Sequence, residues 1–127
     1  MRSRQEPLYH LALAEDWDTA RAGSTGYRTS TLGQDLADVG YIHCSYADQI
    51  QDVADRYYRD LDDVVLLTID PERLTSRVVD EPDKGGEAEY PHIYGPVDLE
   101  AVVEVTPLDQ RPDGTLELPV LTSGDGA

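Results

Sequence analysis

The run Val64–Ile69 (VVLLTI), closed by Asp70-Pro71, constrains the fold more than any other stretch of the chain. Apolar side chains on both alternating faces describe a strand covered from two sides at the centre of a sheet, and the proline that follows cannot donate to a ladder. Such a strand needs neighbours and a covering layer. Residues 7–13 (PLYHLAL), 41–45 (YIHCS), 77–80 (RVVD) and 101–105 (AVVEV) supply short strands, with Glu81 at the end of the third. Ile50, Val53, Ala54 and Tyr57 recur at i, i+3, i+4 and i+7 and predict a covering helix. Its other face, with Asp48, Asp52, Asp55, Arg56 and Arg59, is solvated. Residues 15–22 predict a second helix, with Asp16 as its cap, Trp17, Ala20 and Arg21 at one-turn spacing, and Gly23 as its stop. Residues 31–39 (TLGQDLADV) allow a brief further turn ending at Gly40. Strands flanking two helices, with most strands after them, predict an α+β fold rather than an alternating parallel one.

At 127 residues the chain has the length of one domain, with a core over about 7–107, a loose polar arm at 1–6 and a turn-rich end at 108–127. Asp113-Gly114 in that end reads as a surface hairpin or a frayed tail. Lys and Arg number 10 against 26 Asp and Glu, a formal charge of −16. A nucleic-acid backbone needs a cation for each phosphate it neutralises, and an anionic membrane needs a polybasic patch; the expectation is therefore no nucleic acid and no membrane partner. No apolar run approaches the roughly 20 residues that cross a bilayer, and the start lacks a secretory hydrophobic stretch. With one cysteine, Cys44, the chain has no internal disulfide, and a reducing cytoplasm is its expected compartment. Phe is absent while Tyr occurs eight times, so several hydroxyl-bearing rings are expected to line clefts or the surface.

Three histidines stand among apolar or aromatic neighbours, where a titratable ring costs stability without a partner: His10 in PLYHLAL, His43 in GYIHCS and His92 in YPHIYGP. Singly, each is most often a packing or surface residue; jointly they suggest one shared recess. Alternation along a strand puts Tyr41, His43 and Ser45 on one face and Ile42 and Cys44 on the other. Ser45 precedes the covering helix and is read first as its cap, second as part of an anion site at its N-terminus. Alternation also groups Tyr90, His92 and Tyr94, in a segment framed by Pro91 and Pro96, with Gly95 allowing a positive φ or the close approach of a ligand. Gly85 and Gly86 would give the preceding loop the mobility of a lid. Cys44 faces the core and reads as inert packing. No G-x-S-x-G, Walker A or G-x-G-x-x-G sequence is present, and the wide spacing of the histidines carries no metal-ligand signature, so no metal set is assigned.

Four blocks carry a resemblance: YHLA at 9–12 followed by Trp17; GYIHCS at 40–45 followed by Gln49 and VADRYY at 53–58; VVLLTID at 64–70; and VVDEP at 78–82 followed by YPHIYGPV at 90–97. Over residues 9–105 the chain resembles the DUF952 family of small bacterial proteins, whose members lack an assigned activity. Where that family commonly has Phe before Ile-His and before Pro-His, this chain has Tyr41 and Tyr90, which adds polarity. The family is similar in fold to ADP-ribosyltransferases, most closely to the tRNA 2′-phosphotransferase type with paired histidines. The resemblance implies a split, mostly antiparallel sheet with NAD bound in its cleft as substrate and no covalently held cofactor. It further implies that His10 contacts the ribose and nicotinamide side, that His43 with Ser45 forms a second cleft contact, and that Glu81, by its strand-end position, is the acidic group.

Three readings follow. In the first the protein is an enzyme of ADP-ribosyltransferase type acting on NAD or an ADP-ribose-like nucleotide: His43, Glu81 and His10 are catalytic, Tyr41, Ser45, His92 and Tyr94 join His10 in binding, and Arg28, Arg77 and Lys84 are the cations available to phosphates. In the second it binds a small-molecule ligand without chemistry. In the third the three histidines serve a metal-dependent reaction.

Overall fold

The computed structural model describes residues 6–30, 34–82, 86 and 88–121. Residues 1–5 of the expected 1–6 arm, the start of the 31–39 turn, Lys84, Gly85 and residues 122–127 of the expected 108–127 end lie outside the described residues, while Glu6, expected in the loose arm, is buried. The architecture is α+β, with two separate three-stranded antiparallel sheets. β3 (Val64–Ile69) is the middle strand of the first, between β1 (Leu8–Leu13) and β6 (Val102–Pro107). Its residues alternate between two interiors, as an apolar run without polar gaps requires. Val65, Leu67 and Ile69 enter one core cluster, while Val64 and Leu66 enter the other.

The second sheet has β5 (Glu89–Tyr94) at its centre, flanked by β2 (Ile42–His43) and β4 (Arg77–Pro82). Ile42, Ile93 and Val78 face the first sheet and pack with Leu8, Ala12, Leu67 and Ile69. Reciprocal Tyr9–Ser45 backbone bonds, each 2.8 Å, tie the two sheets at one corner. A small hairpin of β7 (Asp109–Gln110) and β8 (Leu116–Glu117) follows. It is anchored: Leu108 and Leu116 are buried with the second cluster.

Helix α3 (Ile50–Tyr57) lays Ile50, Val53 and Ala54 on the outer face of the first sheet. The fourth position of the expected stripe differs. Tyr57 is 45% exposed and Tyr58 is buried in its place, its hydroxyl donating to the Leu11 carbonyl at 3.1 Å; the chain leaves helical geometry at Tyr58, which rotates that side chain inward. Helix α1 (Ala14–Ala22) begins straight from β1 with no side-chain cap, so Asp16 sits within its first turn instead of capping it. The described residues hold three α-helices where the element order predicts two, because α2 (Leu36–Val39) completes one turn and is closed by Gly40, whose φ of 96° places it in the left-handed region and lets its N–H reach the Leu36 carbonyl. Among the described residues no helix is long and apolar enough to cross a membrane.

Candidate active site on the second sheet

Cross-strand register assembles the site. In the second sheet His43 is paired with His92 and His92 with Val79, while Tyr94 lies opposite Arg77 and Tyr90 opposite Glu81. Directly opposed residues share a face, so the face away from the core carries Tyr41 and His43 from β2 and its approach, Tyr90, His92 and Tyr94 from β5, and Arg77, Val79 and Glu81 from β4. This is the grouping that alternation predicts for each strand separately, except that Ser45, expected beside Tyr41 and His43, lies beyond the end of β2, fully buried and bridged to Tyr9 of the first sheet; register adds that the groups are neighbours.

The rings touch. Tyr41 stacks on His92 with centroids 4.0 Å apart and planes 9° from parallel, and Tyr94 lies 5.6 Å from Tyr41. Tyr90 lies 5.0 Å from His43. His43 Nδ1 is 3.3 Å from His92 Nε2, and His92 Nδ1 is 3.1 Å from Glu81 Oε2. The Tyr94 hydroxyl donates to that same Glu81 oxygen. These contacts, Tyr94 first and His92 second, hold the Glu81 carboxyl below the usual carboxylate range, and the carboxylate in turn raises the Tyr94 phenol. The Arg77 guanidinium stands 5.8 Å from the Tyr94 ring centroid. His92 is buried while His43 is partly exposed, so of the two rings it is His43 that meets solvent.

His10 enters differently. It lies on β1, 2% exposed, with Nδ1 2.7 Å from the His43 carbonyl oxygen and Nε2 2.9 Å from the Tyr27 hydroxyl. The carbonyl accepts only, so Nδ1 carries the proton and the Tyr27 hydroxyl donates to Nε2. Burial drives this imidazole's pKa down from 6.5 to about 4. His43 and His92 therefore meet ring to ring, whereas His10 reaches the site through the His43 backbone. Tyr27, which no local pattern marks, completes that support with its ring in the core. Among the described residues no three His, Cys, Asp or Glu side chains group so as to hold a metal ion.

Ser45 does not cap α3. Its hydroxyl is buried with no hydrogen-bond partner among the described residues. The Gln49 side chain instead accepts from the Tyr46 N–H at 3.0 Å, and its amide donates to the Glu89 carbonyl at 2.7 Å, so a glutamine caps the turn that leads into α3 and ties it to β5. Gly95 has a φ of 155°, and a Cβ there would strike the Ser76 hydroxyl; the close approach it allows is to Ser76, which donates to the Pro96 carbonyl at 2.8 Å. Of the expected phosphate partners, Arg77 lies on the face and Arg28 is exposed before α2. An open cleft of 390 Å³ near Gly26, Thr75, Pro96 and Asp98 shares no residue with the histidine face.

The profile of the family described as Protein of unknown function (DUF952) matches residues 11–105, and that span contains both paired histidines and Glu81. The chain belongs to the DUF952 family. Another solved fold agrees with this DUF952 protein: the crystal structure of protein CC0527 from Caulobacter crescentus is 32% identical to it, with a TM-score of 0.75 over 87% of this chain and 93% of that one. The solution structure of CC0527 gives a TM-score of 0.71 at 29% identity, over 86% and 90% of the two chains. No curated protein matches this DUF952 chain significantly.

Proposed function

We propose that the outer face of the β2–β5–β4 sheet binds a nucleotide of NAD or ADP-ribose type and transfers its ADP-ribosyl group, with Glu81 as the anionic centre. The observation that carries this reading is the placement of one carboxylate, oriented by His92 and Tyr94, at the edge of a face paved with Tyr41, His43 and Tyr90. Flat aromatic surface suits a nicotinamide or adenine ring. Glu81 uses Oε2 for both of its partners, so its second oxygen is the one oriented to hydrogen-bond a ribose hydroxyl and offset the positive charge that develops as nicotinamide leaves. Arg77 serves the phosphates, and His10 fixes the His43 backbone from below. The resemblance to ADP-ribosyltransferases supports the same ligand class, and the reaction belongs in the cytoplasm, where Cys44 stays reduced.

Calorimetric titration with NAD and with ADP-ribose tests the reading. Either ligand at 100 times its dissociation constant should add about 2.7 kcal/mol to stability and raise the melting temperature accordingly. His43→Ala should lose that binding and keep its unfolding transition, and Glu81→Gln should bind but release nicotinamide more slowly. Wild-type protein that gives neither heat nor a melting shift with millimolar NAD or ADP-ribose refutes the proposal and leaves ligand binding without chemistry as the reading of the face.

A further inference from the structure

We infer that His43 is a general base, oriented and polarised by a relay that begins at Glu81 and passes through His92, and that the second substrate of this face is a neutral, hydroxyl-bearing acceptor. The direction of the relay follows from what each atom is able to do. A carboxylate only accepts, so Glu81 Oε2 takes the proton carried on His92 Nδ1, 3.1 Å away. A neutral imidazole holds one N–H, which leaves a lone pair on His92 Nε2. That lone pair faces His43 Nδ1 at 3.3 Å and accepts its proton. The remaining basic atom of the paired imidazoles is therefore His43 Nε2. Tyr41, stacked on His92, holds the middle ring in the plane this chain of bonds requires. The His10 contact fixes the backbone from which the His43 ring projects.

The arrangement has the logic of a carboxylate–histidine pair with a second imidazole in the acting position. The carboxylate selects the tautomer and stabilises the cation that forms; it need not itself become protonated. When an acceptor alcohol attacks, its O–H proton passes to His43 Nε2. Its oxygen supplies the pair for the new bond to the electrophilic carbon, and the pair of the breaking bond leaves with the leaving group. For a nicotinamide leaving group, that pair neutralises the pyridinium nitrogen, a clause that rests on the nucleotide reading above. The imidazolium then returns its proton to solvent. Phosphate and carboxylate acceptors carry no proton for such a base to take at neutral pH, whereas alcohols and water do.

The test needs no ligand, so failure to bind NAD and failure of the relay are separate outcomes. Long-range ¹H–¹⁵N correlation spectra of the wild-type chain report which nitrogen of each imidazole is protonated. Protons on Nδ1 of both His43 and His92 are expected, and a proton on His43 Nε2 in the neutral ring overturns the assignment. Diethyl pyrocarbonate, which acylates unprotonated imidazole, supplies the second measurement. His43 should be modified well before the buried His10 and His92, and Glu81→Gln should slow that modification several-fold in mildly alkaline buffer with the Nδ1 tautomer retained. An undiminished rate in folded Glu81→Gln shows that the carboxylate does not act through His92 and sinks the relay. If that variant fails to fold, the wild-type spectrum decides alone.

Discussion

His10 and His92 are equally withdrawn from solvent, at 2% and 1% exposure, yet they sit in sheets built to opposite rules. In the first sheet, β3 is buried on both faces, and a polar side chain on its neighbour β1 must find partners inside the core. His10 finds a carbonyl and a phenol, both neutral, and burial without a counter-charge suppresses its cation. The second sheet is covered on one side only. Ile42, Ile93 and Val78 fill the core, and the opposite side chains form the aromatic and ionisable face, where His92 finds a carboxylate and a second imidazole. The same residue type is thus a structural strut in one sheet and a link in a chain of ionisable groups in the other. Coverage, more than burial of the ring itself, separates the two.

The largest expected effect falls on the doubly covered sheet. Leu67, fully buried in β3, should cost about 2–5 kcal/mol when changed to Ala, measured by urea unfolding. Tyr94→Phe on the open face should cost far less; equal losses would erase the distinction between the sheets. Next comes the acid response of His10. Its folded pKa lies below its unfolded value of 6.5, so the unfolded chain binds the extra proton. The stability this residue contributes is complete above pH 6.5 and is lost as pH falls toward about 4, for a total of about 3 kcal/mol. Unfolding curves collected across that window should flatten by up to one proton in His10→Gln, and a variant as acid-sensitive as the wild type would remove His10 as the cause. The smallest effect concerns Glu81. Its folded pKa is depressed, so its contribution is present above its ordinary 4.5 and disappears at lower pH. Removing the hydroxyl in Tyr94→Phe takes away the foremost cause, and carbon-detected titration of the Glu81 carboxyl should show its midpoint moving up; an unmoved midpoint would assign the depression to His92 instead.

Much of this was legible wherever a short period governs. The unbroken apolar run at 64–69 marks the central strand, and alternation alone groups Tyr41 with His43 and Tyr90, His92 and Tyr94 with one another. What alternation does not encode is which strand lies beside which. The contact between His43 and His92 spans 49 residues of sequence and depends on a two-residue strand, too short to carry a period of its own. Tyr27 is similar: it stands in a loop-like stretch, and its link to His10 is set by an isolated bridge to Val97. The eight tyrosines point the same way. Surface or cleft positions are the expectation for hydroxyl-bearing rings, yet Tyr27, Tyr46 and Tyr58 are buried, with hydroxyls bound to His10, Asp80 and Leu11. Composition states that each hydroxyl needs a partner; only the three-dimensional arrangement says that the partner is internal. Gln49 takes the capping part expected of Ser45 because its long amide reaches back to the N–H of Tyr46, an option that serine's reputation at helix starts obscures.

Cys44 sits directly behind His43 on the core side, fully enclosed, with its backbone N–H bound to the Pro91 carbonyl at 3.0 Å and burial pushing its thiol pKa upward. As the sole sulfhydryl in the sequence, it works as a stopwatch mounted beneath the paired rings. A thiol-specific dye reacts only in the instants when that short strand lifts away, so the labelling half-life counts how often the floor of the site opens, and any molecule that settles on the far side should make the watch run slow.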